Sequence, residues 1–212
     1  MTKARTACAV MLFSIAATGC LSQQPPLPVR YYSIDTHPLA TKKFPPANAR
    51  LGIRAFMSAS RFRDKILKRT SDYQLEFYED ERWIEPPEEM VSRAFRSAFA
   101  SCGMFEQVVP AEEIRPPAYM LEGELVSFEM VERPEGSLAE CALDLRLRDA
   151  DTWAIIWSGE VRSQKQLVNK DIPSLVSAMS DAAMDAATQA IDKISKLNLA
   201  PPAGREPPAA KK

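Results

Sequence analysis

Between residues 118 and 167 the sequence runs in a two-residue period, and this commits the second half of the chain to long paired strands. In 138–149, Cys141, Leu143, Leu145 and Leu147 alternate with Ala142, Asp144, Arg146 and Arg148. Successive side chains on a strand point to opposite faces, so one face is buried and the other is wet. Residues 118–132 and 153–167 flank this segment as two more strands. Glu132-Arg133-Pro134-Glu135-Gly136 and Asp149-Ala150-Asp151-Thr152 supply the turns. In the third strand Trp153, Ile155 and Trp157 are expected on one face and Ile156 on the other. The two tryptophans are expected in the core, since aromatic side chains favour buried pleated surfaces.

The period changes to that of a helix in two places. Pro87 opens the first, with Glu88 and Glu89 in the first turn facing the positive end of the helix dipole. Met90, Val91, Ala94, Phe95, Ala98, Phe99 and Cys102 share one face, and Gly103 suits the left-handed position after the last turn. After Pro173, Leu175, Val176, Met179, Ala183, Ala187, Ala190, Ile191, Ile194 and Leu197 form one stripe whose alanines permit close approach to a sheet. Short strands are expected at 30–34, 50–56, 66–70 and 73–78, the last two joined around Ser71-Asp72. These elements make an α/β domain in which a mixed, mostly antiparallel sheet is packed by two main helices.

The first 19 residues have another purpose. Lys3 and Arg5 precede an apolar run from Ala7 to Ala17 that is too short to span a bilayer, and small residues then lead into Cys20. Ala17-Thr18-Gly19-Cys20 resembles the lipobox of bacterial lipoproteins, with Ala17 where Leu is usual. The resemblance implies cleavage before Cys20, acylation of that residue (palmitate among its chains), and a stable bilayer anchor. Leu21 follows it, which under enterobacterial sorting favours the outer membrane over the inner. The expected organisation is a signal peptide at 1–19, a lipidated N-terminus and Pro-rich tether at 20–29, a folded domain at 30–199 and a disordered tail at 200–212.

Charge and chemistry exclude several functions. Removing residues 1–19 leaves 25 basic against 28 acidic residues, a net of −3, and no basic patch, so nucleic acid is not an expected partner. His37 is the single histidine and sits beside Pro38, so a Ser-His-Asp triad would need it alone. Glu88-Glu89 and Glu112-Glu113 are adjacent on the chain, point in different directions and read as helix-start charges. No metal-ligand spacing and no phosphate-binding loop occurs. No catalytic residue, metal or cofactor is expected beyond covalent lipid on Cys20. Cys102 and Cys141 remain in the mature chain, either paired as a helix-to-sheet disulfide or separately buried.

Three segments together resemble the ABC-type transport auxiliary lipoproteins, including the PqiC-type partners of MCE-domain (mammalian cell entry) lipid transporters. They are Tyr31-Tyr32-Ser33-Ile34-Asp35 shortly after the lipobox, Leu75–Pro87 with its Arg82-Trp83-Ile84-Glu85-Pro86 stretch, and the strand-rich second half ending in an Ala-rich helix. The resemblance covers residues 30–198 and departs at Ser58–Asp64. It implies a three-layer α/β sandwich on the periplasmic face of the outer membrane, acting as an accessory subunit of a lipid or hydrophobic-solute transporter. An MCE-domain protein is the implied partner. Self-association into a ring is a further expectation, and a lipid carrier with its own cavity is the alternative. For the partner contact, Tyr73, Phe77, Tyr78, Trp83 and Ile84 gather large side chains around one strand and turn. Trp83 could equally plug the core between helix and sheet.

Overall fold

The computed structural model describes residues 28–36, 44, 47, 49–59, 63–112, 117–197 and 199. The signal peptide, Cys20, most of the tether, His37, Glu113 and the tail from residue 200 lie outside the described residues. In chain order the elements are β1 (Arg30–Tyr32), β2 (Arg50–Ile53), β3 (Met57–Ser58), β4 (Lys65–Arg69), β5 (Leu75–Trp83), α1 (Pro87–Ser101), β6 (Gln107–Pro110), β7 (Tyr119–Arg133), β8 (Gly136–Asp149), β9 (Ile155–Gln166) and α2 (Ile172–Ile194).

The two-period region forms the backbone of one nine-stranded sheet. β7 pairs antiparallel with β8 from Tyr119 opposite Asp149 to Arg133 opposite Gly136, and β9 pairs antiparallel with β8 beyond it. The other edge of β7 receives three short parallel strands in turn: β2 at Tyr119, β3 at Glu124 and β4 at Met130. β6 lies parallel outside β2; β5 is antiparallel to β4, and β1 is parallel to β5. The long ladders are antiparallel and the short ones parallel, so the sheet is mixed and mostly antiparallel, as expected. The strand expected at 50–56 ends at Ile53 as β2, and the sequence carries no expectation of β3 or β6.

One extra residue in each of two strands reorganises the faces. The register of β7 on β8 shifts around Val126, and that of β9 on β8 shifts at Ile156. A bulge leaves one residue unpaired and flips everything beyond it. Trp157 stays opposite Leu147 on the core side, whereas Ile155 falls opposite Arg148 on the other side. Trp153 lies in the turn, 53% exposed. The expectation of two core tryptophans on one strand face is therefore corrected: Trp157 is half-buried against the core, and Trp153 is at the surface.

α1 begins as expected, with Pro87 in its first turn and Glu88 and Glu89 beside it; Cys102 follows its last residue and Gly103 takes φ 70°. Only glycine adopts that conformation freely. Asp171 caps α2, its carboxylate accepting from the Ser174 amide at 2.8 Å. Ser92 ties α1 to the sheet: it accepts from the Phe56 amide at 2.9 Å and donates to the Glu88 carbonyl at 2.6 Å. Glu112 sits in a turn rather than at a helix start.

Both helices contact one another and cover the same face of the sheet, α1 over β2 and β6, α2 over β8 and β9. The described residues thus form a helix pair packed on a mixed sheet. The core between them holds Leu121, Leu125, Leu143, Leu145 and Leu147 beside Ala182, Ala183, Ala186, Ala187 and Ala190. An aromatic row runs from Phe56 through Phe95, Phe99 and Phe105 to Tyr119, with centroids 5.0–6.4 Å apart. Gly123 lets β7 and β8 close up under this core. A Cβ there would stand 2.7 Å from both the Asp144 carbonyl oxygen and Leu145 Cδ2. Gly123→Ala is expected to destabilise the protein by about 1–3 kcal/mol through overpacking, read as a lower urea midpoint at unchanged slope.

Candidate docking surfaces

The sheet face away from the helices is polar and closed by ion pairs between strands. Arg69 on β4 meets Glu129 on β7 at 2.7 Å, and Glu140 on β8 meets Arg162 on β9 at 2.5 Å. Glu122 joins Arg148 at 2.5 Å and Arg54 at 3.3 Å. Glu140 is buried, which acts to raise its pKa; hydrogen bonds from Gln164 and Ser127 with the charge of Arg162 outweigh this, and it sits below the usual carboxylate range. A carboxyl depressed in the folded state stabilises the protein above its unfolded value, about 4.3, and that stability is lost as pH falls through the folded value. Glu140→Gln should therefore show a smaller loss of urea midpoint between neutral pH and acid below about pH 4.3 than the wild type does.

The residues expected to meet a partner divide in the structure. Tyr73 at the tip of the β4–β5 hairpin is 99% exposed, and Phe77 on β5 and Ile84 just after its far end are exposed too. Tyr78 is half-buried, with its hydroxyl 3.5 Å from Met130 Sδ and burial pushing its phenol pKa up. Trp83 leaves this group: it is 2% exposed, and its ring meets Phe128 at 5.3 Å. Trp83 belongs to the core, and Tyr32, opposite it in the β1–β5 ladder, packs against the same core. Leu75 on β5 and Tyr31 on β1 join the exposed set, and a three-residue β1 is too short to show a period that would rank Tyr31.

Cys102 and Cys141 are both free and buried, so the disulfide alternative falls to the other expectation, two separately buried thiols. Cys102 donates to the Phe99 carbonyl at 3.2 Å as part of the helix end. Burial pushes both thiols upward, leaving them protonated and unreactive.

A second apolar surface stands at the far end of the sheet, where the sequence pointed to core. Trp153, Ile155 and Met57 are exposed there. Trp153 has φ 60°, which disfavours a bulky side chain. The turn holds it in place: the Asp149 carboxylate accepts from the amides of Asp151 and Thr152 at 3.0 and 2.8 Å and from the Thr152 hydroxyl at 2.9 Å. The Trp153 amide donates to the Asp149 carbonyl, and Arg148 donates to the Trp153 carbonyl, each at 3.0 Å. Arg54 lies over the indole at 6.0 Å. Backbone strain held by surrounding bonds at a solvent-facing tryptophan is a signature of a contact site.

Among the described residues no group of acidic, histidine or cysteine side chains is arranged to hold a metal, and no helix is long and apolar enough to cross a membrane. A groove of about 440 Å³ between β1 and α2 is lined by Ser33, Asp35, Ser177, Ser180 and Asp181 as well as Tyr32 and Val176.

The chain belongs to the ABC-type transport auxiliary lipoprotein component family, whose model matches residues 55–191. Protein XCC0632 from Xanthomonas campestris has a similar crystal structure, with a TM-score of 0.70 and 16% identity over 78% of this chain and 94% of that one. A second crystal structure, of an uncharacterized protein, aligns with a TM-score of 0.62 and 12% identity over 79% of this chain and 99% of that one. These likenesses show the fold. No curated protein matches the sequence. Family membership makes the protein an envelope-associated lipoprotein with an auxiliary role in ABC-type transport.

Proposed function

We propose that the protein is a non-catalytic accessory subunit of a trans-envelope lipid or hydrophobic-solute transporter, held on the periplasmic face of the outer membrane by lipid on Cys20. Its partner is the MCE-domain component of that transporter, and the contact is made by the Trp153 end of the sheet. The observation that carries this reading is Trp153 itself, kept exposed in a costly backbone conformation by five hydrogen bonds from and to its own turn. A large aromatic fixed in advance loses little conformational entropy on binding, which is the property of an interface anchor. The continuous Leu- and Ala-packed core favours docking over the carrier alternative, which needs a deep apolar cavity.

Affinity capture of the full-length lipoprotein from detergent-solubilised native membranes, followed by mass spectrometry, tests this. An MCE-domain protein or transporter permease is the expected co-purifying species, and Cys20→Ala is expected to move the protein from the membrane to the soluble fraction. Recovery of phospholipid without a protein partner would replace this reading with the carrier. Covalent cross-linking before capture reads self-association in the same experiment.

A further inference from the structure

The path of the chain into β1 places the anchor relative to the body. Pro28 lines one groove with Arg30, Tyr78, Glu79 and Asp80. β1 runs parallel to β5 with Arg30 opposite Glu81, so Pro28 is level with the stretch of β5 before Glu81. Pro28 is the eighth residue after Cys20, so the two lie no more than about 29 Å apart in any conformation.

The side chains at this end match a bilayer interface. Tyr31 is opposite Arg82, and Arg82 is opposite Lys65; Phe77 is opposite Leu67, and Leu75 is opposite Arg69. Tyr31, Tyr73, Leu75 and Phe77 are all exposed, and Lys65 Nζ lies 5.8 Å from the Phe77 ring centroid. Tyrosine rings favour the headgroup level of a membrane, and long cationic side chains can reach past apolar neighbours to the headgroups. The hairpin's other cations are already paired: Lys68 with Glu76, Arg69 with Glu129 and Arg82 with Asp64. Attraction by anionic lipid therefore adds little, and apolar and aromatic insertion is the driving term.

We infer that the strip of Tyr31, Tyr73, Leu75 and Phe77 rests on the lipid surface that carries the acyl anchor, and that this contact orients the body on the membrane. The inference rests on acylation of Cys20. The strip was expected to meet a protein; the short reach of the anchor favours the bilayer as its occupant. From Val131, beside the hairpin, to Tyr119, beside the Trp153 turn, β7 advances about 40 Å. With the hairpin on the bilayer, Trp153 stands at the opposite end, clear of the lipid.

The test uses the lipidated full-length protein in phosphatidylethanolamine–phosphatidylglycerol vesicles with brominated acyl chains. An environment-sensitive dye is attached at Tyr73→Cys or, as a control, at Ala154→Cys. Both native body thiols are buried, so labelling is directed to the introduced one. Quenching by bromine at position 73, little at 154, the same signal at low and high salt, and its decrease on adding Leu75→Ser and Phe77→Ser are expected. Flotation with the vesicles but no quenching at 73 overturns the contact and leaves the anchor standing. Absence of flotation removes the anchor and this inference with it. A dye at 73 that is shielded only when a purified transporter component is added assigns the strip to protein and overturns the lipid contact.

Discussion

Trp83→Ala is expected to lower the thermal midpoint by about 10 °C, more than any single change at the protein's exposed apolar ends. The indole is buried to 2% exposure and packs against Phe128 at 5.3 Å. Truncating a buried tryptophan removes its transfer free energy and leaves a cavity, at a cost of about 3–5 kcal/mol. In a body of this size each kcal/mol moves the midpoint by about 2–4 °C. The backbone around it is held by neighbours, with the Trp83 amide donating to the Asp64 carbonyl at 2.6 Å and the Ile84 amide to the Tyr32 carbonyl at 2.8 Å, so the site cannot easily collapse to fill the void. Tyr73→Ser, fully exposed at the hairpin tip, is the control and should melt within about 0.5 kcal/mol of wild type. Circular dichroism melts of the two variants decide the matter. If Trp83→Ala melts with the wild type, the indole is not the plug between strand and core described above.

Trp153→Gly is expected to give the opposite pattern: a partner affinity lower by about 30-fold, the effect of losing a hot-spot aromatic worth about 2 kcal/mol, with no loss of stability. Glycine adopts φ 60° without the Cβ penalty that tryptophan meets there. The indole's contact with Arg54 at 6.0 Å is exposed and contributes roughly 0.5–1 kcal/mol, which relief of the backbone offsets. Trp153→Ala keeps the strained backbone and lacks the side chain, so it should lose affinity equally and melt slightly below the glycine variant. Titration calorimetry with the purified periplasmic domain of the captured partner measures the affinity, and a melt of each variant measures the rest. A glycine variant that binds as wild type would detach Trp153 from the interface.

The parts of the fold legible in sequence were those where periodicity and end chemistry agree. The alternation of Cys141, Leu143, Leu145 and Leu147 is buried along its whole length, and Pro87, Glu88, Glu89 and Gly103 mark the ends of α1 where the structure has them. A bulge inserts a single residue and leaves no signature in residue type, so neither Ile156 nor the shift near Val126 is legible in the sequence. Trp153 lies in the turn ahead of β9, which starts at Ile155, and alternation of residue types does not mark where a turn ends. β3 and β6 are too short to show a period and owe their pairing to the edges of β7 and β2. The helix faces were correctly apolar, but which side of the sheet each helix covers is set by the crossover order of the strands, and local pattern does not encode it. Of the expected contact residues, Tyr73, Phe77 and Ile84 are exposed as their setting in a polar turn and strand end suggests, and Trp83 is buried because it falls on the core side of β5, against Phe128.

The most direct test of the account is site-specific photo-crosslinking in intact cells of the native host, with a photoreactive amino acid at position 153 of the lipidated protein. The account predicts an ultraviolet-dependent adduct containing the MCE-domain component of an ABC-type transporter. An adduct with lipid at position 153, or with a protein from outside any transport system, would contradict it.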